Sequence, residues 1–218
     1  MATSDPIEPG RSARTGAAGQ AGRREITAFF APRAAGWEKR FPDDTPAYTA
    51  AVAGLGLRPG GRVLDAGCGT ARALPLLRAA VGASGAVLGV DLTPEMLHEA
   101  AGLGRTGSGA LIEADSSRLP LRDGRLDAVF AAGLVHHLPD PAAGLRELAR
   151  VTRTGGRLAL FHPLGRAALA ARRGHELRAD DVRAQPRLGQ LLDGAGWELS
   201  LLDDSDERYL AIAVRRPG

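Results

Sequence analysis

A chain of 218 residues with 44% apolar content can bury one ordinary core and reads as a single folded unit. Its one cysteine, Cys68, excludes an internal disulfide and a multi-cysteine zinc site, and no apolar run reaches the ~18 to 20 residues of a membrane span. Twenty-eight basic against twenty-five acidic residues leave a charge of only +3, without the clustered basic face that nucleic-acid binding favours. Lys39 is the sole lysine. The densest arginine group (Arg166, Arg172, Arg173, Arg178, Arg183, Arg187) is interleaved with Glu176, Asp180 and Asp181, as on a solvated helical face. The first residues lack the basic and apolar segments of a secretory signal, so a cytoplasmic protein is expected.

Residues 1 to about 24 are rich in Gly, Ala, Ser and Arg and offer little to bury, which predicts a disordered tail followed by one domain over 25–218. Phe29, Phe30, Trp37, Phe41 and Tyr48 then supply five of the nine aromatics, before the first convincing strand. They predict a helical cap over about 25–58, with Thr45 as an N-cap, Pro46 as first helical residue and Gly56 as the stop. From residue 60 short apolar strands alternate with helical patterns. The predicted strands are Arg62–Asp65, Val87–Asp91, Ala110–Ala114, Leu126–Ala131 and Arg157–Phe161; the helices are 71–80, 94–101 and 141–152. Thr93-Pro94-Glu95 and Asp140-Pro141 are start signals for the last two. This alternation implies parallel strands with crossover helices, a doubly wound α/β sheet. After a helix at 184–193, the strands Trp197–Asp203 and Tyr209–Arg215 lie too close for a crossover and must form an antiparallel hairpin.

The strongest chemical signal is the run Val63 to Ala71, a buried strand ending at Asp65 and turning through Gly67, Cys68 and Gly69 toward a helix. Glycines let a backbone approach a ligand closely, and ligands of open α/β sheets bind beyond the carboxyl ends of strands. A dinucleotide fingerprint would want a third glycine at position 72, where Arg72 stands. Asp91 ends the next strand, twenty-six residues after Asp65, where a carboxylate accepts from ribose hydroxyls.

The run Leu64 to Thr70, the run Gly89 to Leu97, and Asp127 to Phe130 with Val135 to Asp140 together resemble the class I S-adenosylmethionine-dependent methyltransferases. They are most similar to the small-molecule enzymes that include the ubiquinone- and menaquinone-biosynthesis type. The resemblance spans about residues 36 to 163 and is specific for the cofactor rather than the substrate. It implies a Rossmann-like, mostly parallel seven-stranded sheet ending in the antiparallel hairpin. It also implies that S-adenosyl-L-methionine lies with its methionine part on the Gly67, Cys68 and Gly69 backbone and its ammonium on Asp65. Asp91 would take the ribose, Leu92 the adenine face, Asp115 the adenine amino group with the Ser116 backbone alongside, and Ala131 to Gly133 the path to the sulfonium.

The family usually has glycine where Ala71 stands; a helical alanine there is harmless, whereas a left-handed one costs roughly 1 to 2 kcal/mol. No metal site is expected. His136 is the candidate base if one is used, with His162 a second pocket-facing histidine; Cys68 is read as packing, and His98 and His175 as surface residues. In-line methyl transfer depends mainly on positioning, so no catalytic side chain need be visible. The expected function is methylation of a small-molecule acceptor, with the oligomeric state left open. The alternatives are a non-catalytic binder of the cofactor, a nucleic-acid methyltransferase, disfavoured by Ala131-Ala132-Gly133-Leu134, and a nicotinamide oxidoreductase, disfavoured by Arg72 and the hairpin. Arsenite methylation needs more cysteines than one.

Overall fold

The computed structural model describes residues 11–40 and 44–218, so Phe41 of the aromatic cap lies outside the described residues. Helix α1 spans Arg11–Ala34 and α2 Thr45–Gly54, with a short 3-10 turn at Glu38–Arg40 between them. Residues 11 to 24, expected to be a tail, are therefore helical; 1 to 10 lie outside the description. The alanine and arginine that leave little to bury are also strong helix formers, and the later turns of α1 carry Ile26 and Phe30 to pack. The start of α2 differs from expectation by one residue. Asp44 is its N-cap, Thr45 is the first helical residue, and the Thr49 hydroxyl donates to the Thr45 carbonyl at 2.8 Å.

The remaining elements are β1 Arg62–Ala66, α3 Leu74–Val81, β2 Ala86–Asp91, α4 Pro94–Gly102, β3 Ala110–Glu113, β4 Leu126–Ala132 and α5 Pro141–Val151. They continue with β5 Thr152–His162, α6 Arg166–Arg172, α7 Arg187–Gly194, β6 Trp197–Ser205 and β7 Arg208–Arg215. One seven-stranded sheet has the order β3-β2-β1-β4-β5-β7-β6. Strands β1 to β5 pair in parallel, and β7 runs antiparallel to both β5 and β6, as the short link between the last two strands requires.

Period-two alternation sends successive residues of β1 to opposite faces. Val63 joins Val52 of α2 with Leu74 and Leu77 of α3 on one side; Leu64 joins Leu145 and Leu148 of α5 with Leu188 and Leu192 of α7 on the other. Both faces are thus covered, and the strands read as near-continuous apolar runs. Asp140 caps α5 by accepting from the Ala143 amide at 2.9 Å. Thr93 is the N-cap of α4 by position only, because it is Asp91 Oδ1 that accepts from the Thr93 amide, at 2.8 Å.

The arginine-rich segment is not a single helical face. Arg166 and Arg172 lie in α6, whereas Arg178 pairs with Asp180 and Arg183 with Asp181 in the irregular chain before α7. Among the described residues no helix is long and apolar enough to cross a membrane.

The largest buried side chain, Trp197, anchors the hairpin: its indole N–H donates to the Leu145 carbonyl at 3.0 Å. Trp197→Phe is expected to cost about 1 to 3 kcal/mol by leaving that carbonyl without its donor. Urea unfolding within about 0.5 kcal/mol of the parent would contradict this role.

Candidate active site

Strands β1, β2, β4 and β5 deliver their carboxyl ends to one edge of the sheet. The chain passes from β1 outward to β2 and β3, then returns to β4 on the other side of β1, creating a topological switch point. A cavity of about 550 Å³ opens there, within the usual range for small ligands.

The loop after β1 forms one wall. Gly67 (φ +64°) and Gly69 (φ +53°) are left-handed, and a Cβ at Gly67 would lie 2.8 Å from Leu134 Cδ1. Gly89 matters for a different reason. A Cβ there would meet Leu111 at 2.8 Å and Cys68 Sγ at 3.1 Å, so its absence lets the loop settle on β2. The Cys68 amide donates to the Val90 carbonyl at 2.9 Å. Burial, reinforced by Asp65 and Asp91, pushes the Cys68 thiol well up, which suits packing rather than nucleophilic chemistry. Ala71 takes the costly alternative, a left-handed φ of +61° at full burial.

An ion network outside the cofactor motif holds this strained turn. Glu38, from the turn after α1, accepts from the Thr70 hydroxyl, from Arg72 Nε at 2.8 Å and from Arg105 at 3.0 and 3.1 Å. Arg72 also pairs with Asp44 at 3.1 Å, both of them lining the cavity, and Arg105 donates to the Thr70 carbonyl. Burial alone would raise the Glu38 pKa, but Arg105, Thr70 and Arg72 outweigh it and lower it from 4.5 to about 2. The network therefore contributes stability present above pH 4.5 and lost as pH falls toward 2. No local signal marked Glu38 or Arg105, which lie 32 and 35 residues away from their shared partner Thr70.

Three carboxylates line the same side of the cavity: Asp65 after Leu64 on β1, Asp91 at the end of β2, and Asp115 beyond β3. Asp91 Oδ2 accepts from the Gly69 amide at 2.8 Å, tying the two motifs together, and each oxygen keeps a second lone pair. Asp115 accepts from the Ser117 amide at 2.7 Å and from Arg23 of α1 at 3.0 Å, so a residue from the segment expected to be a tail covers the oxygen expected to face adenine. Ser116 is buried beside it and Leu92 lines the wall.

Asp65 is the exception. It is 1% exposed, and its Oδ1 has no hydrogen-bond partner. Burial, then the Asp91 charge, raise its pKa from 3.8 to about 8 despite Arg105. Buried polar atoms are nearly always partnered, so an orphaned carboxylate oxygen beside a glycine cradle fits an ammonium-bearing ligand. That donor set is compatible with the expected S-adenosylmethionine site, in which Asp65 would take the ammonium, the Gly67–Gly69 backbone the methionine part and Asp91 the ribose, while Asp115 is engaged by Arg23 and the Ser117 amide.

The other end of the cavity is apolar and imidazole-rich. Ala131 does not line it as expected: strand alternation turns Ala131 into the core with Leu64 and Leu145, and Ala132 with Gly133 faces the cavity instead. Phe30, Trp37, Leu138 and Pro163 close this end. Tyr48 does double duty, lining the cavity while packing edge-on to Phe161 at 4.9 Å. The 3-10 turn Val135–His137 brings both adjacent histidines to the cavity, with ring centroids 4.1 Å apart. Burial, then the neighbouring His137, push His136 down to about 2, far from the near-neutral value a general base needs. His162 also reaches the cavity, while His98 and His175 are exposed as expected. Among the described residues no group of three or more His, Cys, Asp or Glu could hold a metal ion.

Two substitutions test this wall. The folded-state pKa of Asp65 lies above its unfolded value, so the unfolded chain sheds the proton first and stability falls as pH rises from 3.8 to about 8. Asp65→Asn should flatten that decline and leave the ligand-free protein roughly 2 kcal/mol more stable at pH 8, while weakening S-adenosylhomocysteine binding at least tenfold; an unchanged pH–stability curve would refute the orphaned-carboxylate reading. Ala71→Gly should raise stability by about 1 kcal/mol, since only glycine adopts that φ without strain. A lower melting temperature would show that the alanine methyl is worth more than the strain.

Residues 64–160 match the family described as "Methyltransferase domain". The 27-O-demethylrifamycin SV methyltransferase of Amycolatopsis mediterranei is 37% identical over 110 residues, covering 49% of this chain and 40% of that protein. A demethylmenaquinone methyltransferase of Mycobacterium sp. is 40% identical over 107 residues, covering 49% and 43%. The matched region thus spans less than half the length of these curated relatives. Among solved structures, an Aquifex aeolicus S-adenosylmethionine-dependent methyltransferase superposes with a TM-score of 0.61 at 25% identity, covering 76% of this chain and 88% of that one. A methyltransferase solved with the Haloferax volcanii Trm112 activator reaches 0.70 at 21% identity, covering 86% and 98%, a likeness of fold. With the cradle, the three strand-end carboxylates and the terminal hairpin, these matches make residues 64–160 similar to the class I S-adenosylmethionine-dependent methyltransferases, those of menaquinone biosynthesis among them.

Proposed function

We propose that this protein transfers the methyl group of S-adenosylmethionine to a small-molecule acceptor. The observation that carries the reading is the unpartnered Asp65 oxygen within a glycine-lined wall, opposite an apolar compartment in the same cavity. The relatives named for rifamycin and demethylmenaquinone methylation support a small organic acceptor.

When bound, the cofactor supplies a methyl group on a positively charged sulfur, which leaves as a neutral thioether. Asp65 holds the ammonium, and its proton is released as that ion pair forms. Asp91 keeps the loop closed through the Gly69 amide while its free lone pairs orient the ribose. Ala132, Gly133 and Leu134 line the path of the methyl group, and Phe30, Trp37 and Tyr48 exclude water from the acceptor side. Positioning of this kind contributes roughly 7 to 11 kcal/mol to such a displacement. His136, neutral and buried, lines the cavity and does not abstract a proton.

The purified protein should bind S-adenosylhomocysteine by calorimetry and turn over an acceptor in a panel of phenols, quinols and macrocycles; failure to bind at millimolar concentration would end the assignment. With a turned-over acceptor in hand, His136→Asn should keep kcat within about tenfold, against the 10²- to 10⁴-fold loss expected on removing a general base.

A further inference from the structure

The two halves of the cavity carry opposite charge. On the cofactor side stand Asp65, Asp91 and Asp115; on the acceptor side the lining residues include Arg33 and Arg173, and no unpaired carboxylate, since Asp44 is engaged by Arg72. Neither arginine has a carboxylate partner among the described residues. Arg33 donates only to the Phe29 carbonyl, with its guanidinium 4.0 Å above the Phe29 ring. Arg173, just past the end of α6, makes no side-chain hydrogen bond with any described residue. Both residues line the cavity, Arg33 half-buried and Arg173 exposed, so their charge is open to a ligand bound in it.

The histidines report the same field. Burial first, then Arg173 and Arg183, lower His137 to about 4; burial, Arg183 and Arg173 act alike on His162. Phe30 packs edge-on to His137 at 5.1 Å, so the imidazoles sit in an apolar, positively biased compartment. A cationic acceptor entering it would lose hydration and meet two like charges, whereas an anion would gain two donors able to grip it by charge-assisted bonds.

Building on the methyltransferase reading, we propose that the acceptor is bound as an anion, an aromatic or polycyclic molecule bearing a carboxylate or an acidic hydroxyl, held by Arg173 and Arg33. The acid group need not be the methylated atom; it sets which molecules enter and how they lie against Gly133.

The test uses the full chain saturated with S-adenosylhomocysteine and titrated calorimetrically with four probes: 2-naphthoate, 2,4-dinitrophenol (ionised at neutral pH), neutral 2-naphthamide and cationic 2-naphthylmethylamine. One or both anions should bind at least about tenfold more tightly than the amide, and the amine most weakly. Preference for naphthoate points to a carboxylate, preference for dinitrophenol to an acidic hydroxyl. Arg173→Gln and Arg33→Gln should each reduce the anion-to-amide ratio several-fold while leaving S-adenosylhomocysteine affinity and melting temperature unchanged. Equal binding of anion and amide, survival of the preference in both variants, or no anion binding at millimolar concentration by protein that binds S-adenosylhomocysteine would overturn the proposal. Failure to bind S-adenosylhomocysteine at all would instead remove the methyltransferase reading, and this inference with it.

Discussion

A carboxyl group buried at the end of the first strand, with one oxygen lacking any partner, is the constraint around which the rest of this molecule is arranged. Asp65 sits between Leu64 and Ala66, both wholly buried, and faces a second carboxylate on the neighbouring strand. Such a group destabilises the fold whenever it is ionised without a counter-ion. The surrounding sheet is therefore packed on both faces, with β1 paired to β2 and β4 along its length, so that the strand cannot relax to relieve it. Stability is given up where an ammonium-bearing ligand will later restore it, a common arrangement at functional sites.

The glycine loop repeats this logic in its backbone. Ala71 adds a left-handed residue to Gly67 and Gly69. Beyond the Ala71 amide's bond to the Cys68 carbonyl at 2.7 Å, support comes from outside, through Glu38, Arg72 and Arg105, whose half-buried charges bridge the cap, the loop and the segment after α4. Because breaking one member of a buried ion network leaves its partners unpaired, the network makes cap position and loop shape interdependent. The cap is then part of the cofactor wall as well as the cover of the acceptor side. Arg23 extends the same coupling to the adenine end through Asp115.

The charge contrast across the cavity follows from where these pairs are made. Carboxylates gather where strands β1, β2 and β3 end. The acceptor side is built instead from α1, the histidine turn after β4 and the chain after β5, which bring aromatic rings, imidazoles and unpaired guanidiniums.

Sequence alone determined the doubly wound sheet and its terminal hairpin, because those features depend on local periodicity and on turn residues. Asp65, Gly67, Gly69 and Asp91, which the fold gathers at one cavity, were legible from a motif a few residues long, whereas Asp115 was named only by family resemblance. Tertiary structure decided the rest. Whether Ala131 or Ala132 faces the cavity depends on the phase of β4 against its neighbours, and the conformation of Ala71 depends on a network whose members come from residues 38 to 105. The helix from Arg11 escaped notice because composition weighs only what a segment can bury, not its intrinsic preference for helix. Arg33 and Arg173 lie 140 residues apart yet line one wall, and only folding, which trades chain entropy for long-range contacts, brings such positions together.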